Sequence, residues 1–268
     1  MKIDSLVRQK DIPQEDREKT LYFDIEVSPI LSWTYNAYEG NSLRIEQDPK
    51  IISFAWQWEG DDEVYCMTLA DYKGYRPNRF KINDKKIVTD LHEVLSRADV
   101  VIGQNSNRFD LTTANARFLY HGLPPIEKKV LIDTLRIAKS HFRLPKYTLD
   151  DMLRYVGLIG KTKVKHSDIL WDCLDGDLEY WEKMKEYNKQ DVIITREFYL
   201  KIRGFHHTHP NLSFFTRVPN ECPKCHSKKT IKRGRGLVRG GYRRKRQCKD
   251  CGGYFSSEII KLDKVTTY

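Results

Sequence analysis

Two acidic residues near the start of the chain have the spacing of a metal-binding pair. Asp24 and Glu26 lie two residues apart in the strand-like run 20–27, so both side chains leave the same face of a strand. Side-by-side carboxylates repel each other, and burying them without a counter-charge is costly. Two Mg²⁺ or Mn²⁺ ions would supply that charge and the means of phosphodiester hydrolysis. An exposed structural pair has the same spacing, so this interpretation depends on further residues.

Three later residues supply that support. Asp110 follows the apolar run 99–103 at a predicted strand-to-helix junction, where a side chain can point into a cleft. Tyr187 and Asp191 are four residues apart in a predicted helix and therefore share one helical face. The five residues together predict one site of four carboxylates and a phenol.

Four cysteines predict a second, structural metal site. They form two CxxC pairs separated by 22 residues: Cys222 with Cys225, and Cys248 with Cys251. Four thiolates suit one tetrahedral Zn²⁺, with two sulfurs supplied by each turn. A redox role is disfavoured, because neither pair opens a helix in a thioredoxin-like setting. We therefore predict one structural zinc ion.

The segment between the two cysteine pairs is strongly basic. Residues 201–250 contain 15 lysines and arginines against two acidic residues, whereas the first 200 residues are near neutral. Arginine forks suit phosphate oxygens. Nucleic acid is therefore the predicted partner, and a solubilising or protein-binding role is the alternative. The predicted contacts are Arg233, Arg235, Arg239, Arg243, Arg244 and Arg246.

Hydrophobic periodicity predicts the elements that position these residues. Strands are predicted at 20–27, 51–58, 63–69, 99–103 and 130–133, and helices at 84–98, 111–121, 148–157 and 177–202. This order predicts an α/β fold with a mixed sheet and helices on its faces. Capping roles are predicted for Asp133 and Thr148. A solvated loop is predicted around the aspartates at 168, 172, 175 and 177.

The motifs resemble those of the DEDD superfamily of 3′→5′ exonucleases, which share a ribonuclease-H-like fold. FDIE at 23–26, GQNSNRFD at 103–110 and YNKQD at 187–191 are similar to its three motifs, and Tyr187 fits the tyrosine form. The resemblance is closest to the proofreading domains of family B DNA polymerases, covers about residues 20–203 and includes KYTLDDMLRYVGL at 146–158. It implies a ribonuclease-H-like exonuclease domain at 19–203, and the residues on either side predict a lead-in at 1–18, a linker at 204–219 and a zinc ribbon at 220–268.

The resemblance also implies a role for each site residue. Asp24 would bridge both metal ions, while Glu26 and Asp191 would hold the ion that activates water. Asp110 would support the second ion, and Tyr187 would orient the attacking water. Asn105 is interpreted as steadying the substrate strand or its own loop, which makes it a sixth candidate.

The predicted function is removal of nucleotides from a 3′ end, of DNA in preference to RNA, with the end single-stranded at the site. A structure-selective endonuclease and a catalytically silent nucleic-acid-binding protein are the alternatives. A separate replication or repair protein is a further candidate partner. No run approaches the roughly 18 apolar residues of a membrane span, and the N-terminus lacks a signal-peptide segment. We therefore expect an intracellular, cytoplasmic protein that is not secreted.

Overall fold

The computed structural model describes residues 18–36, 38, 40–160, 166–256 and 259–261. Its larger sheet has five strands in the order β5-β4-β1-β6-β7. These strands are β1 (Thr20–Val27), β4 (Ile51–Trp58), β5 (Tyr65–Thr68), β6 (Val100–Gly103) and β7 (Val130–Asp133). The short strands β2 (Leu31–Trp33) and β3 (Arg44–Gln47), which were not predicted, form a separate hairpin.

The direction of the strands determines which edge of the sheet receives the acidic residues. β1 pairs antiparallel with β4 and parallel with β6, and β6 pairs parallel with β7. The carboxyl ends of β1, β6 and β7 therefore meet at one edge. Asp24 and Glu26 lie near that end of β1, and the segment after β6 leads to Asp110. The mixed sheet predicted from the sequence is confirmed.

Helices cover both faces of this sheet and bury two apolar clusters. One face packs against α1 (Lys85–Ser96), α2 (Asp110–Tyr120) and α5 (His166–Asp175). The other packs against α3 (Thr134–His141), α4 (Leu149–Tyr155) and the C-terminal half of α6 (Leu178–Ile202). No helix in the described ranges combines the length and apolarity needed to span a membrane.

Three local predictions can be compared with the structure. The Asp133 side chain accepts from the backbone N–H groups of Leu135 and Arg136, and Thr148 accepts from that of Asp151, so both caps are confirmed. The predicted loop around residues 168–177 is wrong, because most of it is α5. Leu170 and Leu174 recur at helical spacing between the aspartates and are buried in the core.

The C-terminal part is a small antiparallel sheet built on the cysteine segments. It contains β8 (Thr230–Val238), β9 (Gly241–Cys248), β10 (Tyr254–Ser256) and β11 (Ile260–Lys261), with β9 paired to the other three. The segment before it contains the short helix α7 (Ser213–Thr216) and packs against both parts. Leu212 is buried and donates its N–H to the carbonyl of Pro223, while Tyr199 bonds to His209.

Candidate active site and cysteine centre

Three of the predicted carboxylates converge at the edge of the large sheet. Oxygens of Asp24, Glu26 and Asp191 lie within 4.8 Å of one another. Asp24 and Glu26 project from the same face of β1, and their partners on β4 are the small residues Ala55 and Ser53. Small neighbours leave room for α6 to bring Asp191 over the sheet. Three acidic oxygens this close suit a hard divalent cation.

Asn188 supports this cluster from inside the protein. Its side chain is fully buried, and its Nδ2 donates to Asp24 Oδ2 at 2.7 Å. Its Oδ1 accepts from Ser53 Oγ at 2.8 Å, which ties α6 to β4. Sequence reasoning missed this residue, although its spacing of three from Asp191 places both on one helical face. The two bonds orient the Asp24 carboxylate before any ligand binds.

Replacing Asn188 with leucine is expected to weaken hydrolysis through a poorly oriented Asp24. Leucine has the same number and branching of heavy atoms but no amide, and loss of a group that orients a metal ligand reduces activity or metal affinity about 10- to 100-fold. Turnover should fall, and the half-saturating Mg²⁺ concentration should rise. Ser53→Ala, which removes only the outer bond, should have a smaller effect on both. A normal Mg²⁺ requirement in Asn188→Leu would contradict this role.

Asp110 lies directly behind the three-carboxylate cluster. It is the first residue of α2, is buried, and its Oδ1 accepts from the N–H of Ile25 at 3.1 Å. The pKa of the Asp110 carboxyl is raised to about 7, chiefly by burial and also by nearby Asp133 and Asp191, while the Ile25 hydrogen bond opposes the rise. The group of oxygens within 4.8 Å does not include Asp110. Its place beside Ile25 suits a supporting role behind the cluster.

The raised pKa of Asp110 predicts a pH-dependent stability of the metal-free protein. Because the folded state holds this proton more tightly than the unfolded chain, its contribution is full below the ordinary pKa of 3.8 and is lost as pH rises through about 7. In EDTA, Asp110→Asn should therefore unfold at a higher temperature than the wild type at pH 8 and at nearly the same temperature at pH 4. Thermal unfolding at both pH values checks this. A lower unfolding temperature of the variant at pH 8 would refute it.

The loop before Asp110 is held by Asp133. Asn105 has a left-handed backbone, with φ of 58°, a conformation that asparagine tolerates better than most residues. The N–H groups of Asn105 and Asn107 donate to the two carboxylate oxygens of Asp133, at 3.1 and 3.2 Å. Asp133 thus joins the loop to the start of α3. Tyr187 lies half-buried one helical turn before Asp191.

The four cysteines of the two CxxC pairs come together. Their sulfur atoms lie within 4.8 Å of one another, with 3.7 Å between Cys222 and Cys251 and 3.6 Å between Cys225 and Cys248. Four sulfurs around a tetrahedral zinc ion, each at about 2.3 Å, would be about 3.8 Å apart. The donor set and its spacing therefore fit one zinc ion.

The predicted arginine contacts lie on the hairpin of β8 and β9. This hairpin contains no acidic residue between positions 230 and 248. Arg246 is partly buried and donates to Thr230, whereas the remaining predicted arginines are exposed: Arg233, Arg235, Arg239, Arg243 and Arg244. The hairpin therefore presents a dense positive surface to solvent.

A half-buried histidine attaches this small sheet to the large domain. His226 Nε2 bonds to Glu18 at 2.6 Å, and its Nδ1 bonds to Glu221 at 2.8 Å. Burial lowers the pKa of His226, but the two carboxylates outweigh it and raise that pKa overall. Glu18 precedes β1, whose six residue steps from Thr20 to Glu26 span about 20 Å. The cysteine centre is therefore attached at the opposite end of β1 from the acidic cluster.

Comparison with known proteins agrees with this architecture. Residues 57–202, more than half of the chain, match the family described as the RNase_H superfamily, and the chain belongs to that superfamily. It is also similar to a DNA polymerase of Methanocaldococcus jannaschii, with 24% identity over 232 residues. That alignment covers 76% of this chain and 12% of the polymerase.

One of the solved structures similar to this chain is also a polymerase. It is the family B DNA polymerase from the hyperthermophilic archaeon Pyrobaculum calidifontis, with 18% identity and a TM-score of 0.47. The match covers 74% of this chain and 26% of that chain.

Proposed function

We propose that the protein is a metal-dependent 3′→5′ exonuclease that hydrolyses terminal phosphodiesters of DNA. The observation that carries this proposal is the convergence of Asp24, Glu26 and Asp191, with oxygens within 4.8 Å, in a ribonuclease-H-type sheet. Similarity to a DNA polymerase favours DNA as the substrate. The proposed nuclease domain comprises residues 19–203, with a lead-in at 1–18, a linker at 204–219 and a zinc ribbon at 220–268.

Each acidic residue has a proposed role in the reaction. Asp24, oriented by Asn188, would be a ligand of both metal ions, and Glu26 and Asp191 would hold the ion that activates the attacking water. Asp110 would support the second ion, and Tyr187 would align the water with the terminal phosphorus. Two Mg²⁺ or Mn²⁺ ions, when bound, lower the pKa of water and stabilise the leaving oxygen. The proposed substrate end is single-stranded where it meets the acidic cluster.

The experiment that tests this function uses a 5′-labelled oligonucleotide with a 3′-recessed end. With Mg²⁺ or Mn²⁺, the expected result is a ladder of products shortened one nucleotide at a time, and EDTA should abolish it. Internal cuts would replace the proposal with a structure-selective endonuclease. Binding without any cleavage would identify a silent nucleic-acid-binding protein.

We also propose that the four cysteines bind one structural zinc ion and that the basic hairpin holds nucleic acid. Cys248→Ser should lose the one zinc ion per chain and weaken binding of long oligonucleotides, because metal binding and folding of such small sheets are coupled. Turnover of short substrates should stay near that of the wild type, since the acidic cluster lies at the other end of β1. Zinc analysis and turnover against substrate length check this prediction. A collapse of short-substrate turnover would contradict the division of roles.

A further inference from the structure

One face of the small sheet combines cationic and aromatic side chains. Directly opposed residues of antiparallel strands share a face, as do alternate residues within one strand. On β9 this rule places Tyr242, Arg244 and Arg246 together. Their partners are Leu237, Arg235 and Lys232 on β8, and Phe255 on β10 opposite Arg246. We call these seven residues the mixed face.

The opposite face has a different composition. Arg243 and Lys245 project from it, and their partners on β8 are Gly236 and Gly234. A Cβ at Gly236 would lie 3.0 Å from the Lys245 side chain, so this lysine lies over Gly236. The aromatic ring on this side of the sheet is Tyr254 of β10, which lies opposite Gln247. The mixed face therefore has more cations and more aromatic rings than the opposite face.

The mixed face leads into a cavity of about 640 Å³ between the small sheet and the segment before it. Arg246 and Phe255 line this cavity from the sheet, and Phe214 and Arg217 line it from the α7 segment. Phe214 is 72% exposed although it is a large apolar residue, and Arg217 is also exposed. Two aromatic rings and two guanidinium groups offer stacking surfaces and phosphate donors in one concave site.

An aromatic ring, that of Tyr242, also lies at the other end of the mixed face. The Arg235 guanidinium lies over the Tyr242 ring, 4.8 Å from its centre. The four residue steps from Tyr242 to Arg246 span about 14 Å. The cations between the two ends include the directly opposed Arg235 and Arg244, whose guanidinium groups suit phosphate oxygens.

We propose that single-stranded DNA lies along the mixed face and places one base in the cavity beside Phe214 and Phe255. The proposal extends the ribbon's proposed role in nucleic-acid binding. A positively charged track with aromatic platforms is the usual means of binding single strands, whose unstacked bases can stack on side chains. In a duplex the bases are stacked on each other and cannot enter such a cavity. The ligand is thus the unpaired strand that the acidic cluster would also need.

The test compares neighbouring arginines that differ only in the face they occupy. Full-length protein carrying Asp24→Asn is titrated with fluorescent single-stranded DNA over a range of salt concentrations. Arg244→Ala, on the mixed face, should weaken binding and reduce the slope of log affinity against log salt by about 0.7. Arg243→Ala, on the opposite face, should reduce affinity and slope by less than Arg244→Ala does. Zinc content and unfolding temperature confirm that each variant folds.

A second variant tests stacking separately from charge. Phe214→Ala should weaken binding about tenfold without changing the salt slope, because stacking involves no ion release. On an oligonucleotide made of abasic residues, the same variant should bind as tightly as its parent. Equal effects of Arg243→Ala and Arg244→Ala, with none from Phe214→Ala, would overturn this inference and leave the nuclease proposal intact. Preference for blunt duplex would also overturn it, and absence of all DNA binding would remove the ribbon's proposed role as well.

Discussion

Replacing Asp24 with asparagine is expected to lower exonuclease turnover by about a thousandfold. Asparagine keeps the size of the side chain and can still bond to Asn188, but it carries no negative charge. Asp24 is the central member of the cluster, with Glu26 and Asp191 oxygens within 4.8 Å. Loss of one shared ligand removes several kcal/mol of transition-state stabilisation, and each 1.36 kcal/mol is tenfold in rate. The 3′-recessed substrate and single-turnover rates provide the measurement.

The matched control for this prediction is Glu186→Gln on the same helix. Glu186 has an exposed side chain that pairs with Lys189, so its charge lies near the site in sequence but faces solvent. Its neutralisation should leave turnover within a factor of two or so of wild type, since exposed ion pairs contribute little. If Asp24→Asn kept more than a tenth of wild-type turnover, or if both variants fell equally, the carboxylate cluster would not be the reaction centre.

The parts of the fold that the sequence predicted are those with a local signature. β1 and β4 have long apolar runs, and α6 has a periodic pattern that places Tyr187 and Asp191 on one face. Capping by Asp133 and Thr148 depends on residues two or three positions away. In each case the interacting groups are close in the chain, so spacing alone carries the information.

The parts that were missed depend on contacts between distant positions. Asn188 bonds to Asp24 across 164 residues and to Ser53 across 135, and no local pattern reports such a bond. The same holds for His226, which reaches Glu18 across 208 residues. Helix α5 was missed for another reason. Its aspartates indicated a solvated loop, although its apolar residues have helical spacing and pack against α6. Convergence of the carboxylates was predicted from the set of motifs and their family resemblance, because the spacing within one motif does not report the distance to another.

A buried ion pair lies near the edge of the large sheet that carries the acidic cluster. Asp84 is 1% exposed and accepts hydrogen bonds from Arg117 at 2.7 Å, from His121 at 2.8 Å and from the N–H of Ile51 at 3.1 Å. Asp84→Ala would leave the buried Arg117 guanidinium without its counter-charge, which typically reduces the free energy of unfolding by about 3–5 kcal/mol. Ile51 begins β4 opposite Val27, so the loss would also loosen the strand beside the acidic cluster.

Two comparisons test the stabilising role of Asp84: the pH dependence of unfolding, and a variant that breaks an exposed ion pair. Burial raises the pKa of Asp84, but hydrogen bonds from Arg117 and His121 outweigh it and lower that pKa overall. The stabilisation is therefore present above the ordinary value of 3.8 and is lost as pH falls through the lower folded pKa. Urea unfolding at pH 7 should show the full difference between wild type and Asp84→Ala, and the difference should shrink below pH 4. Asp175→Ala, which breaks the exposed pair with Arg79, should change stability by less than about 1 kcal/mol. A similarly small change for Asp84→Ala would mean that the pair does not hold β4 in place.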